Sequence, residues 1–269
     1  MRECRLLILV LAGDSFVSNQ NLNIQTKTWM KDIPQNVELI TYRGGKFDNF
    51  DDGRLSLQVS DEYSAISEKT KKAFEWVNEN YSFDYIFRTN TSSYIDVKRL
   101  YDFCKNNKKE YLYRGRKLKN NFKDTEVEWV SGAEILLSKS SFELLLKDPN
   151  DWDIKLPDDV SIGKILQKYK IQIDESNSIL FSPSFFEMIN FNHEYHFRCR
   201  VDSPYYYPRY LDRTLIRYIH KNLSNKKISK FERHATKNYF RISKLFAFKK
   251  HKDYLVHYFW IILKKIFFK

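Results

Sequence analysis

The sequence predicts an α/β layer fold, a mainly parallel sheet flanked by helices. Three observations carry this. Strand-like and helix-like segments alternate along most of the chain. The first of them, Leu6-Leu-Ile-Leu-Val-Leu-Ala12, is a short continuous apolar run, the pattern of a strand buried on both faces. The composition supplies a core: of 269 residues, 42% are hydrophobic and 16% aromatic, too many for a disordered chain. Only 7 Gly and 6 Pro exclude collagen-like and linker-like classes.

Residues 6–12 read as the first strand, ended by Gly13-Asp14 without the cleavage pattern of a signal peptide. Residues 19–32 read as a helix, closed by Pro34. Residues 37–42 form the second strand, closed by Gly44-Gly45, and 56–59 a short strand. Residues 64–80 are a long helix with Ile66, Ala73, Phe74 and Val77 on one side. The strand at 84–89, Asp-Tyr-Ile-Phe-Arg-Thr, is followed by a helix at 97–107. Strands follow at 111–114 and 127–130, with another apolar strand after Gly132. Helices are expected at 139–147 and 160–169, a strand starting at 171–173, and a last helix at 211–222. In such a sheet, ligands bind beyond the carboxyl ends of the strands.

Formal net charge is +12, unevenly spread. Residues 213–269 hold sixteen of the 46 Lys and Arg but two of the 34 acids, net +14, leaving 1–212 at −2. A near-neutral body, 1–210, is therefore expected to carry a basic, aromatic helical tail, 211–269, and basic tails seek polyanions. The apolar run 258–263 is far shorter than the roughly 20 residues that span a bilayer. Flanked by lysines and aromatics, it suits a lipid interface, so the expected partner of 213–269 is an anionic membrane surface rather than nucleic acid. A tail packed on the body with solvated lysines is the other reading. Cys4, Cys104 and Cys199 are few, odd in number and far apart, which disfavours a disulfide framework or a CxxC zinc site and favours a reducing cytosol. Neither GxGxxG nor GxxxxGK[ST] occurs, so ordinary dinucleotide and P-loop sites are disfavoured, and there is no GxSxG elbow.

Five segments stand in a recognisable order: Gln25-Thr-Lys-Thr-Trp29; Asp61-Glu-Tyr-Ser-Ala-Ile-Ser-Glu-Lys-Thr70; Phe83-Asp-Tyr-Ile-Phe-Arg-Thr-Asn-Thr-Ser-Ser-Tyr94; Trp129-Val-Ser-Gly-Ala-Glu-Ile-Leu-Leu-Ser138; and Leu156-Pro-Asp-Asp-Val-Ser-Ile-Gly163. Together, over about residues 5–200, they resemble the β-1,3-galactosyltransferase/Fringe type of GT-A glycosyltransferase. The resemblance implies a GT-A-like sheet and transfer of a sugar, with inversion, from a nucleotide sugar (a UDP-sugar) to a hydroxyl of a glycan or lipid-linked glycan.

In that family the strand matching Asp-Tyr-Ile-Phe-Arg-Thr ends in an Asp-x-Asp motif, whose carboxylates hold a divalent metal against the donor pyrophosphate. Here Asn90, Thr91 and Ser92 stand instead. Neutral oxygens are weaker ligands for Mg²⁺ or Mn²⁺, so donor binding is expected to need no metal and no other cofactor. The hydroxyls and amide of this triplet are candidates to bond donor ribose or sugar; equally, Ser92 or Ser93 caps the helix near Val97. The diphosphate needs cations: Lys69, Arg88, Arg198 and Arg200 are candidates, with Arg43 and Arg114 behind them, each otherwise an ordinary ion pair.

On residue type alone, Asp158 and Asp159 after Pro157 cap a helix. The resemblance makes Asp159 the general base, with Asp158 as cap or acceptor contact. Gly132 permits close approach to a ligand and Trp129 offers a flat face for an acceptor sugar, or both belong to the core. His196, near His193, matches the family's metal histidine or donates to a phosphate; otherwise it is structural. The resemblance also fits a cytoplasmic enzyme, peripheral on the inner membrane face, building a surface polysaccharide. A non-catalytic sugar- or nucleotide-binding protein on the same scaffold, and a basic nucleic-acid-binding protein, are the rival functions.

Overall fold

A computed structural model describes residues 3–31, 33–122, 125–180, 195–200 and 210–224. Strand β1 (Leu6–Leu11) lies in the middle of an eight-stranded sheet. Its side chains alternate between two cores: Leu6, Ile8 and Val10 enter one, Leu7 and Leu9 the other. Burial on both faces is why the strand is continuously apolar. It pairs in parallel with β2 (Val37–Gly45) on one side and β5 (Tyr85–Asn90) on the other. Beyond β2 come β4 (Arg54–Gln58), parallel, and β3 (Asn49–Asp51), antiparallel. Beyond β5 come β10 (Ile135–Ser138), antiparallel, then β7 (Tyr113–Gly115) and β11 (Asp174–Glu175). The sheet is thus mixed but mainly parallel.

Helices cover both faces. α1 (Phe16–Thr26), α3 (Val97–Asn106) and α6 (Tyr210–Leu223) close one core. α2 (Ile66–Asn80), α4 (Lys139–Leu146) and α5 (Asp158–Lys168) close the other. A two-stranded ribbon pairs β8 (Lys117–Phe122) with β9 (Thr125–Val130). A small second sheet orders β12 (Ile179–Leu180), β13 (His196–Arg198) and β6 (Ser93–Ile95).

Several expectations are corrected. α1 starts at Phe16 because the Ser15 hydroxyl caps the Ser18 N–H at 3.2 Å; it stops at Thr26, and one 3₁₀ turn, Trp29–Lys31, follows. β2 does not stop at Tyr42 but includes Gly44 and Gly45 as its last two residues. Only hydrogen fits at these positions: a Cβ on Gly44 would lie 2.5 Å from the Val59 carbonyl, and one on Gly45 2.1 Å from Ser56 Oγ. The β3–β4 hairpin was not expected; its turn places Asp52 and Gly53 at φ 43° and 71°, the backbone of a type I′ turn. The strand expected from 171 starts at Asp174, since Ile171 and Ile173 instead pack at the edge of a core.

The body also extends past the expected boundary at 210. In α6, Leu215, Ile216 and Ile219 are fully buried, and Asn21 Nδ2 donates to buried Asp212 Oδ2 at 3.3 Å. The rest of the expected tail, 225–269, lies outside the described residues. Among the described residues no helix is long and apolar enough to cross a membrane.

Candidate functional site

The carboxyl end of β5 is the focus. There Gln25, fully buried on α1, donates its Nε2 to the carbonyls of Asn90 at 3.1 Å and Ser93 at 2.7 Å. The β6–β13 register sets Arg198 opposite Ser93, and Cys199 N–H donates to Ser92 O at 2.8 Å. This aims Arg198 at the triplet. Its Nη1 donates to Asn90 Oδ1 at 2.6 Å and to Ser92 Oγ at 2.6 Å. Ser92 Oγ in turn donates to Asn90 Oδ1 at 2.9 Å. Thr91, the middle member, faces away, 3.4 Å from Ser18 Oγ. Neither Ser92 nor Ser93 caps α3; the Asp96 carboxylate does, accepting from Arg99 N–H at 3.1 Å.

Arg198 lines a cleft of about 420 Å³ together with Arg116, Arg200, Glu134 and His196. That volume lies in the usual range for ligand sites. The hydroxyl-bearing residues Ser131 and Ser178 complete the wall. His196 is 1% exposed, with Nε2 3.0 Å from Ser93 Oγ and Nδ1 3.4 Å from Glu134 Oε2. Its two nitrogens therefore face protein groups, and it is a wall of the cleft rather than a free donor. His193 lies outside the described residues.

The acidic pair at the start of α5 divides its labour. Asp158 is 2% exposed and forms a buried ion pair with Arg88 Nη2. Thr70 Oγ1 donates to Asp158 Oδ2 at 2.8 Å, and Arg88 Nε donates to Tyr42 OH at 3.1 Å. Tyr42 OH lies 2.9 Å from Thr70 Oγ1, which closes a ring of four buried side chains. Burial alone would lower the Arg88 pKa; Asp158 and Tyr42 outweigh it and hold the guanidinium charged.

Asp159 is half-buried. Its Oδ2 accepts from Gly132 N–H at 2.9 Å and its Oδ1 from Val160 N–H at 3.0 Å. Burial first, and the neighbouring Asp158 charge second, push its pKa above the ordinary carboxylate value, against the pull of the Gly132 N–H and Arg88. Asp159 and Gly132 do not themselves line the cleft; Gly132 lies between Ser131 and Ala133, which do, so Asp159 is held one residue behind that wall.

Not every expected residue reaches the cleft. Arg88 is 2% exposed and is spent on Asp158, which is in turn spent on Arg88 and Thr70; neither is a ligand contact. Lys69 is likewise buried, donating its Nζ to Asp61 O at 2.8 Å and Oδ1 at 3.1 Å. Asp61 also accepts from the N–H of Asp14 and from Gly44 N–H at 2.8 Å, so Lys69 ties α2, through Asp61, to the loop after β1 and to the end of β2. Gly132 is approached closely, but by protein: a Cβ there would lie 2.8 Å from Arg88 Nη1 and 3.1 Å from Asp159 Oδ2. Trp129 is half-buried on β9, with its backbone tight against Gly163 of α5. Arg43 pairs with Asp14 at 3.0 Å, and Arg114 with Asp174 at 2.9 Å, outside the cleft.

Among the cleft residues that escaped sequence reasoning are two charged ones, Arg116 and Glu134; Ser131, Ala133 and Ser178 escaped as well. Arg116 follows Gly115, whose φ of 153° lets β7 pass against the Glu134 carbonyl; a glycine between two arginines at a strand end was the available signal. Glu134 stands directly before an apolar strand, a charge where a core begins. Among the described residues no group of three or more His, Cys, Asp or Glu could hold a metal ion. The Asn90–Ser92 oxygens fit a divalent cation poorly, being neutral and already engaged by a guanidinium.

These parts define the class: an α/β protein of layered helices on a mainly parallel sheet, with a cationic cleft beyond the carboxyl end of a central strand. Compared with known families and curated proteins, the chain matches no family model and no curated relative.

Proposed function

We propose that this chain is an inverting glycosyltransferase of the GT-A type that binds a nucleotide-sugar donor, a UDP-sugar, without a divalent metal. One observation carries the reading. Arg198 places a cation between the first and third residues of the triplet that corresponds to the family's Asp-x-Asp motif. The positive charge that faces the donor diphosphate is then supplied by Arg198, with Arg116 and Arg200 beside it. Guanidinium forks match phosphate oxygens, and a unit pair at 4 Å is worth about 4 kcal/mol at an effective dielectric of 20.

Asp159 takes the proton from the acceptor hydroxyl as that oxygen attacks the anomeric carbon. The new C–O bond forms as the bond to the diphosphate breaks. The diphosphate leaves with the electron pair, against the arginines, and the anomeric centre inverts.

Calorimetric titration with UDP is expected to give the same Kd with and without EDTA; complete loss of binding in EDTA would overturn metal-free binding. Arg198→Ala is expected to weaken UDP binding by about 10- to 100-fold, the worth of charge-assisted hydrogen bonds. Incubation of a panel of nucleotide sugars with glycan acceptors, monitored by diphosphate release, separates an enzyme from a non-catalytic binder. Binding with no release from any donor favours the binder.

The segment 225–269 supplies the membrane address of a cytoplasmic, peripheral enzyme of surface-polysaccharide synthesis. A chain ending at 224 keeps α6 and its core contacts. It is expected to lose sedimentation with anionic liposomes while keeping activity on a soluble acceptor; unchanged sedimentation would refute the assignment.

A further inference from the structure

The turn Ser131-Gly-Ala-Glu134 joins β9 to β10 and forms one wall of the cleft. It is closed by Glu134 N–H on Ser131 O at 2.9 Å and pinned to β5 by the Thr89 hydroxyl on Ala133 O at 2.7 Å. Glu134 is 1% exposed, yet neither of its carboxylate oxygens accepts a hydrogen bond among the described residues. Among the described residues its basic neighbour within ion-pair distance is His196 Nδ1, at 3.4 Å. A carboxylate has about four acceptor sites, and burying it with none filled is unfavourable. Buried polar groups left this way are rare, and a ligand that completes them is a standing reason for their presence.

We propose that Glu134 is the sugar-recognising residue of the cleft: its carboxylate accepts hydrogen bonds from two ring hydroxyls of the donor sugar, while the arginines hold the diphosphate. This rests on the transferase reading above. The division follows from charge. Guanidinium groups only donate, so they suit phosphate oxygens; an ionised carboxylate only accepts, so it suits a pair of hydroxyls and rejects the phosphates. Turning into the cleft costs Glu134 no hydrogen bond to the described residues, because it accepts none from them. His196 keeps its place through Ser93 Oγ at 3.0 Å. Glu134 therefore reads the sugar while the arginines of the same cleft read the diphosphate.

The test uses the full chain, with Glu134→Gln and Glu134→Ala, and calorimetry on UDP-glucose, UDP-galactose, UDP-N-acetylglucosamine, GDP-mannose, dTDP-glucose and their parent diphosphates. Wild type is expected to bind one nucleotide sugar more tightly than its parent diphosphate. The variants are expected to lose about 10- to 100-fold for that nucleotide sugar while binding the parent diphosphate within about 2-fold of wild type. A ring-deoxy analogue of the preferred donor is expected to bind wild type more weakly but to lose nothing further in Glu134→Ala. Variants that keep the full sugar preference overturn the inference. So does an equal loss for sugar and parent diphosphate, which would mean that Glu134 acts only by holding His196. Failure of wild type to bind any of these diphosphates overturns the transferase reading itself, and this inference with it.

Discussion

Asp159→Asn is expected to lower kcat by about 10²–10⁴-fold while leaving donor affinity near wild type, because positioned proton transfer is worth that much and the carboxylate is not among the groups that face the diphosphate. The amide keeps the shape and can still accept from Gly132 N–H at the 2.9 Å contact, so the loop and helix stay in place. What disappears is the capacity to take a proton. The pH profile carries the second half of the result. Burial and Asp158 raise the Asp159 pKa. A base works only when deprotonated, so wild-type kcat/KM falls on the acid side through a midpoint above the ordinary carboxylate range. Asp158→Asn removes a neighbouring negative charge and moves that midpoint down; Asp159→Asn removes the limb altogether. Turnover near wild type in Asp159→Asn, with an unchanged acid limb, would remove this residue as the base.

The largest stability effect is expected at Arg88. Arg88→Met leaves Asp158, 2% exposed, as a buried carboxylate whose remaining side-chain donor among the described residues is the Thr70 hydroxyl. Breaking a buried pair from one side costs about 3–5 kcal/mol, since the surviving charge stays desolvated without compensation. The urea midpoint should drop accordingly with an unchanged m-value. The double variant Arg88→Met/Asp158→Asn is expected to recover a large part of the loss, because no net charge is then buried, and the double-mutant cycle measures the coupling. A cost under about 1 kcal/mol for Arg88→Met would mean that water reaches the pair and that the ring of Tyr42, Thr70, Arg88 and Asp158 does not brace α5.

The layered α/β arrangement was legible because its central pieces carry local signals. β1 is apolar at every position, and Ala73, Phe74 and Val77 on α2 do lie in the core beneath β2 and β4. Weak or long-range elements were not. β8, Lys-Leu-Lys-Asn-Asn-Phe, pairs only with β9 in a ribbon and needs no apolar face. β6 and β13 are three residues each, and their strand character comes from partners about a hundred positions away. In the site, the residue types were visible and their depth was not. Arg88 and Lys69 looked like phosphate cations but are buried ion-pair members. Arg88 had a readable warning: it lies inside an apolar strand between Phe87 and Thr89, where a charge has to bring its own buried counter-charge. Arg198 was among the candidates, but its seat between Asn90 and Ser92, 108 and 106 positions away, exists only once β13 has docked on β6.

That docking has a consequence of its own. Arginine keeps its proton at every physiological pH. The positive pole at the end of β5 therefore neither dissociates, nor trades places with a rival ion, nor fluctuates with the mineral content of its surroundings. Its presence depends instead on whether one narrow three-stranded patch stays zipped. In this protein, electrostatic readiness is a folding property.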